Sequence, residues 1–594
     1  MASPATPYDA VRRRPDGPRP LDALRVDVGG PPALTRVVAD HLGRLGGRVR
    51  STDADRIGVD GAGFAPVTAD TAWGPHGSGV EDEATAQAAT GVMAVHGRRH
   101  GSPRGLGVDY LATATGVLTV QGLLAALVAQ ARGTAGPRRV GTTADGAGLL
   151  AVSQYLAAAG ADEQEAVELA AGGPPFTSAD GVVFELETLD PGAWAAFWRA
   201  LGAPAEAIRA GWRPFQFRYA TACAPFPPAL HTVTRRHGIE ETLRAAAASG
   251  AEVCRLRTLA ERAKEDDGAD PWSLRPLLPG TPAAPRPASP AGPLAGMTVL
   301  EAGRRIQAPL AAHLLGLLGA RVVRIEPPGG DPLRGMPPAC DGVSARWLAL
   351  NRGKEAVEVD IKSPGDRRRL LELASGADVF LHNWAPGKAA ALGLDSADLA
   401  AVAPSLVYAY TGGWADRIAD APMGTDFMVQ ARTGAAEAVR PADEPPAPSL
   451  MTLLDLLGGL HGAEAVLAGL LLRERTGHGV RVDSSLLGAA DTLLAPALDR
   501  VRRGDDPRPP AGFRRPLRTS DGWIAPSDDC AAAAAHDLTG MCTEDALHRL
   551  RSRGLTATAV TTDLAALAHD PRLSGPIGRD AHGAPAVPDP WSLA

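Results

Sequence analysis

The most apolar stretch of the chain, Leu450 to Leu472, is interrupted by three side chains that could do chemistry, Asp455, His461 and Glu464. An aspartate at the head of such a run has two readings. It caps a helix, a role for which Asp is favoured, or it is a carboxylate placed to act as nucleophile or base. Ionisable groups also make the run costly in lipid, so it is expected inside a protein core. A second aspartate lies upstream in Asp426-F-M-V-Gln430. Other constellations are lacking: no G-x-S-x-G, Walker loop, H-E-x-x-H or G-x-G-x-x-G occurs in the strand-turn-helix setting that would give it meaning. The five cysteines (Cys223, Cys254, Cys340, Cys530, Cys542) are scattered, with no C-x-x-C and no histidine at ligand spacing, so neither a disulfide scaffold nor a metal site is expected. Sixty Lys+Arg against 67 Asp+Glu give a formal net charge of −7, which offers nucleic-acid binding no basic excess. The opening MASPATPYDAVRRRPDGPRP has no apolar run of the signal-peptide kind. A cytoplasmic protein is expected.

The elements that must position Asp455 come from an internal repeat. Glu83-A-T-A-Gln87-A-A-Thr90-Gly91 lines up with Asp426-F-M-V-Gln430-A-R-Thr433-Gly434, and the same offset sets Gly116, Leu124 and Leu127 over Gly459, Leu467 and Leu470. Pro175-F-T-S-A-Asp180-Gly181 resembles Pro516-L-R-T-S-Asp521-Gly522, and Asp270-P-W-S-Leu274 recurs as Asp589-P-W-S-Leu593. Upstream, Leu42-G-R-L-G-G-R-Val49 resembles Leu315-G-L-L-G-A-R-Val322, with less chain between this point and the glutamine motif in the first copy. Between the copies the stretch PGTPAAPRPASPAGP has the composition of an extended linker. The expected organisation is a disordered lead-in over 1–22, a first copy over 23–278 with a small domain at about 176–274, a linker over 279–292, and a second copy over 293–594.

Short apolar or β-branched runs at Met297–Glu301, Arg321–Ile325, Val357–Asp360, Asp378–His382 and Leu406–Tyr410 predict strands, and Ala308–Leu318 and Asp366–Ala374 predict helices between them. That alternation implies an α/β fold with parallel strands and crossover helices. Ligands bind such sheets beyond the carboxyl ends of the strands, where Glu326-P-P-G-G-Asp331 and His382-N-W-A-P-Gly387 would sit.

The second copy resembles the class III coenzyme A transferases, the CaiB/BaiF-like family that also contains carnitine dehydratase-like proteins and 2-methylacyl-CoA racemases. The resemblance is carried by Gly292-P-L-A-G-M-T-Val299-L-Glu301, Gly319-A-R-V-V-R-I-Glu326-P-P-G-G-Asp331, Leu350-N-R-G-Lys354-E-A-V-E-V-Asp360-I-Lys362, Asn383-W-A-P-Gly387, Gln430 and Leu471-L-R-E-R-T-G-His478-G. It implies a Rossmann-like large domain and a small α+β domain per copy, with two subunits threaded through one another and each active site between the large domain of one and the small domain of the other. A chain with two shortened copies would be that dimer fused into an interlocked pseudo-dimer.

The resemblance implies that Asp455, with Gly459 behind it, is the nucleophile of a CoA transfer through an aspartyl thioester. A backbone donor at the start of its helix would stabilise the oxyanion and keep the carboxylate ionised. Ala112 stands at the equivalent place in the first copy, so one working site and one pseudo-site are expected. Asp190, in the small domain of the first copy, is the acidic residue that racemases of the family would bring to the site, and Asp426 is a second candidate acid or base. Racemases place a histidine before that aspartate. Here it is Thr425, which cannot act as a general base near neutral pH, and His382 and His461 are expected to be structural. For acyl-CoA, the substrate, the implied binding residues are Gln307, Arg324, Arg334, Asn351, Arg352, Lys354, Lys362, Asn383 and Lys388, with no metal. Two arginines that the family places on the nucleotide phosphates are Ala385 and Ala391 here. Three readings stay open: a CoA-transferase, a lyase, dehydratase or isomerase acting on an acyl thioester, and a non-catalytic pseudoenzyme; with Ala385 and Ala391, a thioester on an acyl carrier protein stays open beside one on free CoA.

Overall fold

The computed structural model describes residues 17–277, 291–419, 421–530 and 537–594. Most of the expected lead-in and linker therefore lies outside the described residues, and the part of the lead-in that is described already enters the core, with Leu21 fully buried.

Two large sheets organise the chain. In the second half, strands Thr298–Ala302, Arg321–Glu326, Glu355–Glu358, Val379–His382, Val407–Gly412 and Val480–Ser485 lie parallel, ordered so that the 298–302 strand sits between 321–326 and 379–382. The first five match the expected strands to within about two residues at each end, Val480–Ser485 was not among them, and helices Gln307–Leu317 and Pro364–Ser375 fall where the helical periodicity put them. The sheet of the first half is mixed, in the order 48–51, 25–28, 57–61, 64–72, 139–143. The outermost strand of each sheet comes from the other half. Trp272–Pro276 pairs antiparallel with Val480–Ser485, Leu274 opposite Val482, and Ser592–Leu593 pairs antiparallel with Arg139–Thr143, Leu593 opposite Val140. The duplicated Asp-Pro-Trp-Ser-Leu motif is thus a strand exchanged between halves.

The smaller layers cross over in the same way. A three-stranded sheet, Phe176–Thr177, Val183–Glu187 and Glu252–Arg255, packs on an aromatic core of Phe176, Phe184, Trp194, Trp198, Phe215 and Phe226. It reaches the second half through Arg257 N–H donating to Ala431 O (2.8 Å). Its counterpart, Leu517–Arg518, Trp523–Pro526 and Ala557–Ala559, reaches the first half through Thr561 N–H donating to Ala88 O (3.0 Å), and Ala88 is the repeat equivalent of Ala431. The paired Asp180 and Asp521 hold equivalent corners. Asp180 accepts from Ile239 N (3.2 Å) and Asp521 from Thr543 N (2.7 Å), each at the start of a helix.

At the centre lie helices Tyr110–Ala131 and Leu453–Thr476, each long and apolar enough to cross a membrane by length and composition. They pack on each other, pinned by Gln121 Nε2 donating to Leu460 O (2.7 Å) and Tyr110 Oη to Leu453 O (3.1 Å). Gly116 and Gly459 serve one purpose in the two copies. A Cβ on Gly116 would come within 2.8 Å of Val37, and one on Gly459 within 2.9 Å of Gln307 O, so only glycine lets the helices 32–44 and 307–317 approach this closely. Where the halves meet, fully buried His41 Nδ1 lies 2.9 Å from Glu464 Oε1, also fully buried.

Candidate active site

Asp455 stands in the first turn of the helix Leu453–Thr476, after Thr452, whose φ of 52° turns the chain sharply into it. Asp426 holds that turn. Its Oδ2 accepts from Leu454 N (2.6 Å) and Asp455 N (2.8 Å), and its Oδ1 from Gln430 Nε2. Gln430 is fixed in turn by Ser449, accepting from its N–H (2.8 Å) and donating to its carbonyl (3.0 Å). The helix-start donors are therefore spent on Asp426, which corrects the expectation that they keep the Asp455 carboxylate ionised. Burial, and then the charge of Asp426, push Asp455 up to about 8, against the pull of Arg305, and burial pushes Asp426 up to about 6. Half-buried, the Asp455 carboxyl has no hydrogen-bond or ion-pair partner among the described residues. A carboxyl so placed can act as nucleophile or as acid and base.

The first copy repeats this frame without its reactive group. Glu83 accepts from Leu111 N and Ala112 N (both 2.9 Å), Gln87 Nε2 donates to Glu83 (2.8 Å), and Leu106 N donates to Gln87 (2.8 Å). Residue for residue this is Asp426, Leu454, Asp455, Gln430 and Ser449, with Ala112 in place of the aspartate. Arg514 closes the position, donating to Leu106 O (3.1 Å), Val108 O (2.9 Å), Asp109 (2.7 Å) and Asp528 (2.7 Å). Nothing in the local sequence marked Arg514 for this role.

The layer 176–255 does come over the Asp455 turn, but the acid it brings is Glu187. Glu187 accepts from Thr425 Oγ1 (2.8 Å), is ion-paired with Arg218 (2.9 Å), and its charge acts on both Asp426 and Asp455. Asp190 is exposed and caps the helix Pro191–Ala200 through Gly192 N (2.7 Å), a separate duty three residues further on. In Val183-F-E-L-Glu187 the two glutamates alternate with Phe184 and Leu186, a pattern that alone would put them in water; both are buried instead. His382 and His461 are structural as expected. His382 Nε2 bonds Tyr408 Oη (2.7 Å), His461 bonds Leu457 O (2.7 Å) and Thr492 Oγ1 (3.1 Å), and burial pushes both down to about 3.

The nine residues expected to hold acyl-CoA fall into four groups. The Arg324 and Lys354 side chains are buried and paired with acids. Arg324 is paired with Glu301 and Asp331, and Lys354 Nζ uses all three protons on Glu301 (2.7 Å), Pro309 O (2.7 Å) and Asn351 (2.9 Å). These two cations hold strands together and are not free to meet a phosphate, a correction to the sequence reading. Arg334, Arg352 and Asn351, together with one face of Lys354, line a cavity of about 520 Å³ that Asp580 and His582 close on another side. Arg334 is paired with Glu326 (2.8 Å) and lies over the Trp347 ring at 3.8 Å, whereas among the described residues Arg352 donates only to carbonyls of Ala349 and Val587 (3.2 Å each). Lys362 and Lys388 are exposed. Gln307 donates to Gly412 O (3.3 Å) near the Asp455 helix, and Asn383 clamps the main chain of Arg304, accepting from its N–H (2.9 Å) and donating to its carbonyl (3.0 Å).

The family model described as CoA-transferase family III matches residues 67–277 and again residues 294–566, a tandem arrangement. The succinyl-CoA:glutarate CoA-transferase of Mus musculus is 36% identical over 208 residues, 34% of this chain and 47% of that protein. The acetyl-CoA:oxalate CoA-transferase of Acetobacter aceti is 36% identical over 216 residues, 36% of this chain and 55% of that protein. A solved CaiB/BaiF family protein from Brucella suis is 25% identical with a TM-score of 0.43, covering 50% of this chain and 94% of its own. The chain spans about half the length of these curated relatives. With two family matches that together cover most of its residues, the chain belongs to CoA-transferase family III.

Proposed function

We propose that this protein is a CoA-transferase that moves a CoA thioester between carboxylic acids through Asp455, in one working site per chain. The observation that carries the reading is the unpartnered Asp455 carboxyl, set in a turn that Asp426 holds rigid and faced by Glu187 and Tyr219 from the other copy. In the ionised form an Asp455 oxygen attacks the thioester carbonyl, the C–S bond breaks, and CoA leaves as thiolate. The thiolate then attacks the Asp455 carbonyl of the mixed anhydride, releasing the first acid as carboxylate and leaving an aspartyl thioester. The acceptor carboxylate reverses both steps, so no net proton or electron is consumed. Arg352, Arg334 and Asn351 would border the coenzyme in the 520 Å³ cavity, with Arg352 as the guanidinium free of an acid partner among the described residues. The exchanged strands and crossed small layers support an interlocked pseudo-dimer within one chain, and Ala112 with Arg514 supports a silent second site. The relatives' names make small dicarboxylic acids natural first substrates to assay.

The test is intact-mass measurement on incubation with succinyl-CoA and glutarate. The wild type gains one CoA-sized or acyl adduct per chain, and Asp455→Asn neither gains it nor turns over. Unchanged turnover in Asp455→Asn would sink the reading. A second reading has its own support: a carboxyl pushed up to about 8 is suited to proton transfer near neutral pH, as in a thioester isomerase or lyase. Solvent deuterium entering the acyl α-carbon without CoA exchange would favour it.

A further inference from the structure

The loop between the strand Thr298–Ala302 and the helix Gln307–Leu317 carries a guanidinium whose placement the transfer chemistry alone does not require. Arg305 has φ of 61°, a left-handed conformation that costs a side-chain-bearing residue about 1 kcal/mol or more. It is held there from both sides. Asn383 grips the main chain of Arg304 with two hydrogen bonds (2.9 and 3.0 Å). Gly303 before it has no room for a side chain, since a Cβ would come within 2.7 Å of Glu301 Oε1 and 2.8 Å of Ala308. Two residues on, Gln307 packs against Gly458 and Gly459, one helical turn beyond Asp455, so the loop opens toward the reactive carboxyl. The Arg305 side chain is exposed and lies 5.2 Å from the ring centre of Tyr219, which comes from the other copy, so the two copies meet at this guanidinium. The other guanidinium acting on Tyr219, Arg346, is consumed by Glu165 (2.5 Å), Ala220 O (3.0 Å) and Pro337 O (3.2 Å). Arg305 has no acid partner among the described residues. Its positive charge acts on Asp455 as well as on Tyr219.

We propose that Arg305 is the specificity residue of the site, pairing with a second carboxylate at the far end of the acyl chain and so selecting dicarboxylic over monocarboxylic acids. This rests on the transferase reading. A strained backbone, a dedicated amide clamp and an aromatic face beneath the guanidinium fix its direction before substrate arrives, and an Arg with no internal acid is a fork of donors matched to a carboxylate. The other fate for such an arginine is a coenzyme phosphate, and the experiment separates the two.

Adduct formation on the wild type and on Arg305→Gln and Arg305→Lys is compared for succinyl-CoA and butyryl-CoA, which share chain length and coenzyme and differ in the distal carboxylate. The expected result is a loss of about 10- to 100-fold for succinyl-CoA in Arg305→Gln, with partial retention in Arg305→Lys and butyryl-CoA changed by less than about threefold. Equal losses for both thioesters would assign Arg305 to the coenzyme and overturn the proposal, as would no loss for either. Glutarate and valerate binding, read by saturation-transfer NMR without turnover, gives an independent arm. A glutarate preference in the wild type that disappears in Arg305→Gln supports the proposal even if no thioester is transferred, and the absence of any preference in the wild type overturns it.

Discussion

The Asp426–Asp455 pair predicts a displaced pH profile. Asp455 must be ionised to attack, and it is held protonated by burial first and by the Asp426 charge second, so that it titrates at about 8. Asp426, at about 6, is mostly ionised at pH 7 and exerts most of its repulsion there. Two unit charges several ångströms apart interact by about 2–4 kcal/mol at an effective dielectric constant of about 20. Partial solvation of the half-buried Asp455 reduces this, leaving about one pKa unit, or about 1.4 kcal/mol, to recover when Asp426 becomes neutral. Asp426→Asn keeps an oxygen to accept from Leu454 N and Asp455 N. Its new amide N–H group faces Gln430 Nε2, which Ser449 prevents from turning over, at a stability cost of about 1–3 kcal/mol. The acid limb of kcat/KM should move down by about one unit, so the ratio of activity at pH 6.5 to that at pH 8.5 rises even though the absolute rate falls. Glu83→Gln is the control, since Glu83 grips Leu111 and Ala112 in the same manner with no reactive carboxyl behind them. It should cost comparable stability and leave the limb unmoved. A limb that stays put or moves up in Asp426→Asn, or that shifts equally in Glu83→Gln, refutes the argument.

Because the Asp455 pKa is raised on folding, the folded state binds its proton more tightly than the unfolded chain, and stability falls as pH rises from about 4 through about 8. Asp455→Asn should therefore unfold with the wild type near pH 4 and be more stable at pH 9, by about 1–3 kcal/mol in denaturant titrations. Ala112→Asp should not create a second reactive site, because Arg514 already fills the space before Leu106 and Val108. Adduct stoichiometry by intact mass should stay at one per chain, and two adducts would refute the sealed-site assignment. His41→Ala strands the fully buried Glu464 carboxylate and should cost about 3–5 kcal/mol in chemical unfolding, most of it recovered when Glu464→Leu is added.

Much of this site was legible because its residues are local. Asp426 and Gln430 are four apart on one helix, and Asp455 opens the next apolar run, so spacing alone groups them; the repeat then predicts Glu83, Gln87 and Ala112 at the silent position. The parallel strands were legible for the same reason, as short apolar runs between helical periods. What escaped depends on which distant segments the sheets bring together. Arg324 and Lys354 read as free cations until Glu301, on the neighbouring strand, is seen to consume both. Asp190 and Glu187 are equally acidic in sequence, and only the crossed packing decides which is buried, Glu187 at the end of its strand and not Asp190 at its helix cap. Arg514 and Arg305 look like ordinary surface cations, and their roles follow from backbone conformations with positive φ (50° and 61°) that no side-chain pattern announces.

The exchanged strands bear on how the molecule comes off the ribosome. The first sheet takes its outermost strand from Ser592–Leu593, so its edge at Arg139–Thr143 stays bare while more than four hundred further residues are made, an open invitation to pairing with other chains. The second sheet has the opposite history, since Trp272–Pro276 is synthesised before any strand of the sheet it will complete. The first half is thus a template that waits, and the strand Ser592–Leu593 acts as the latch that ends its exposure.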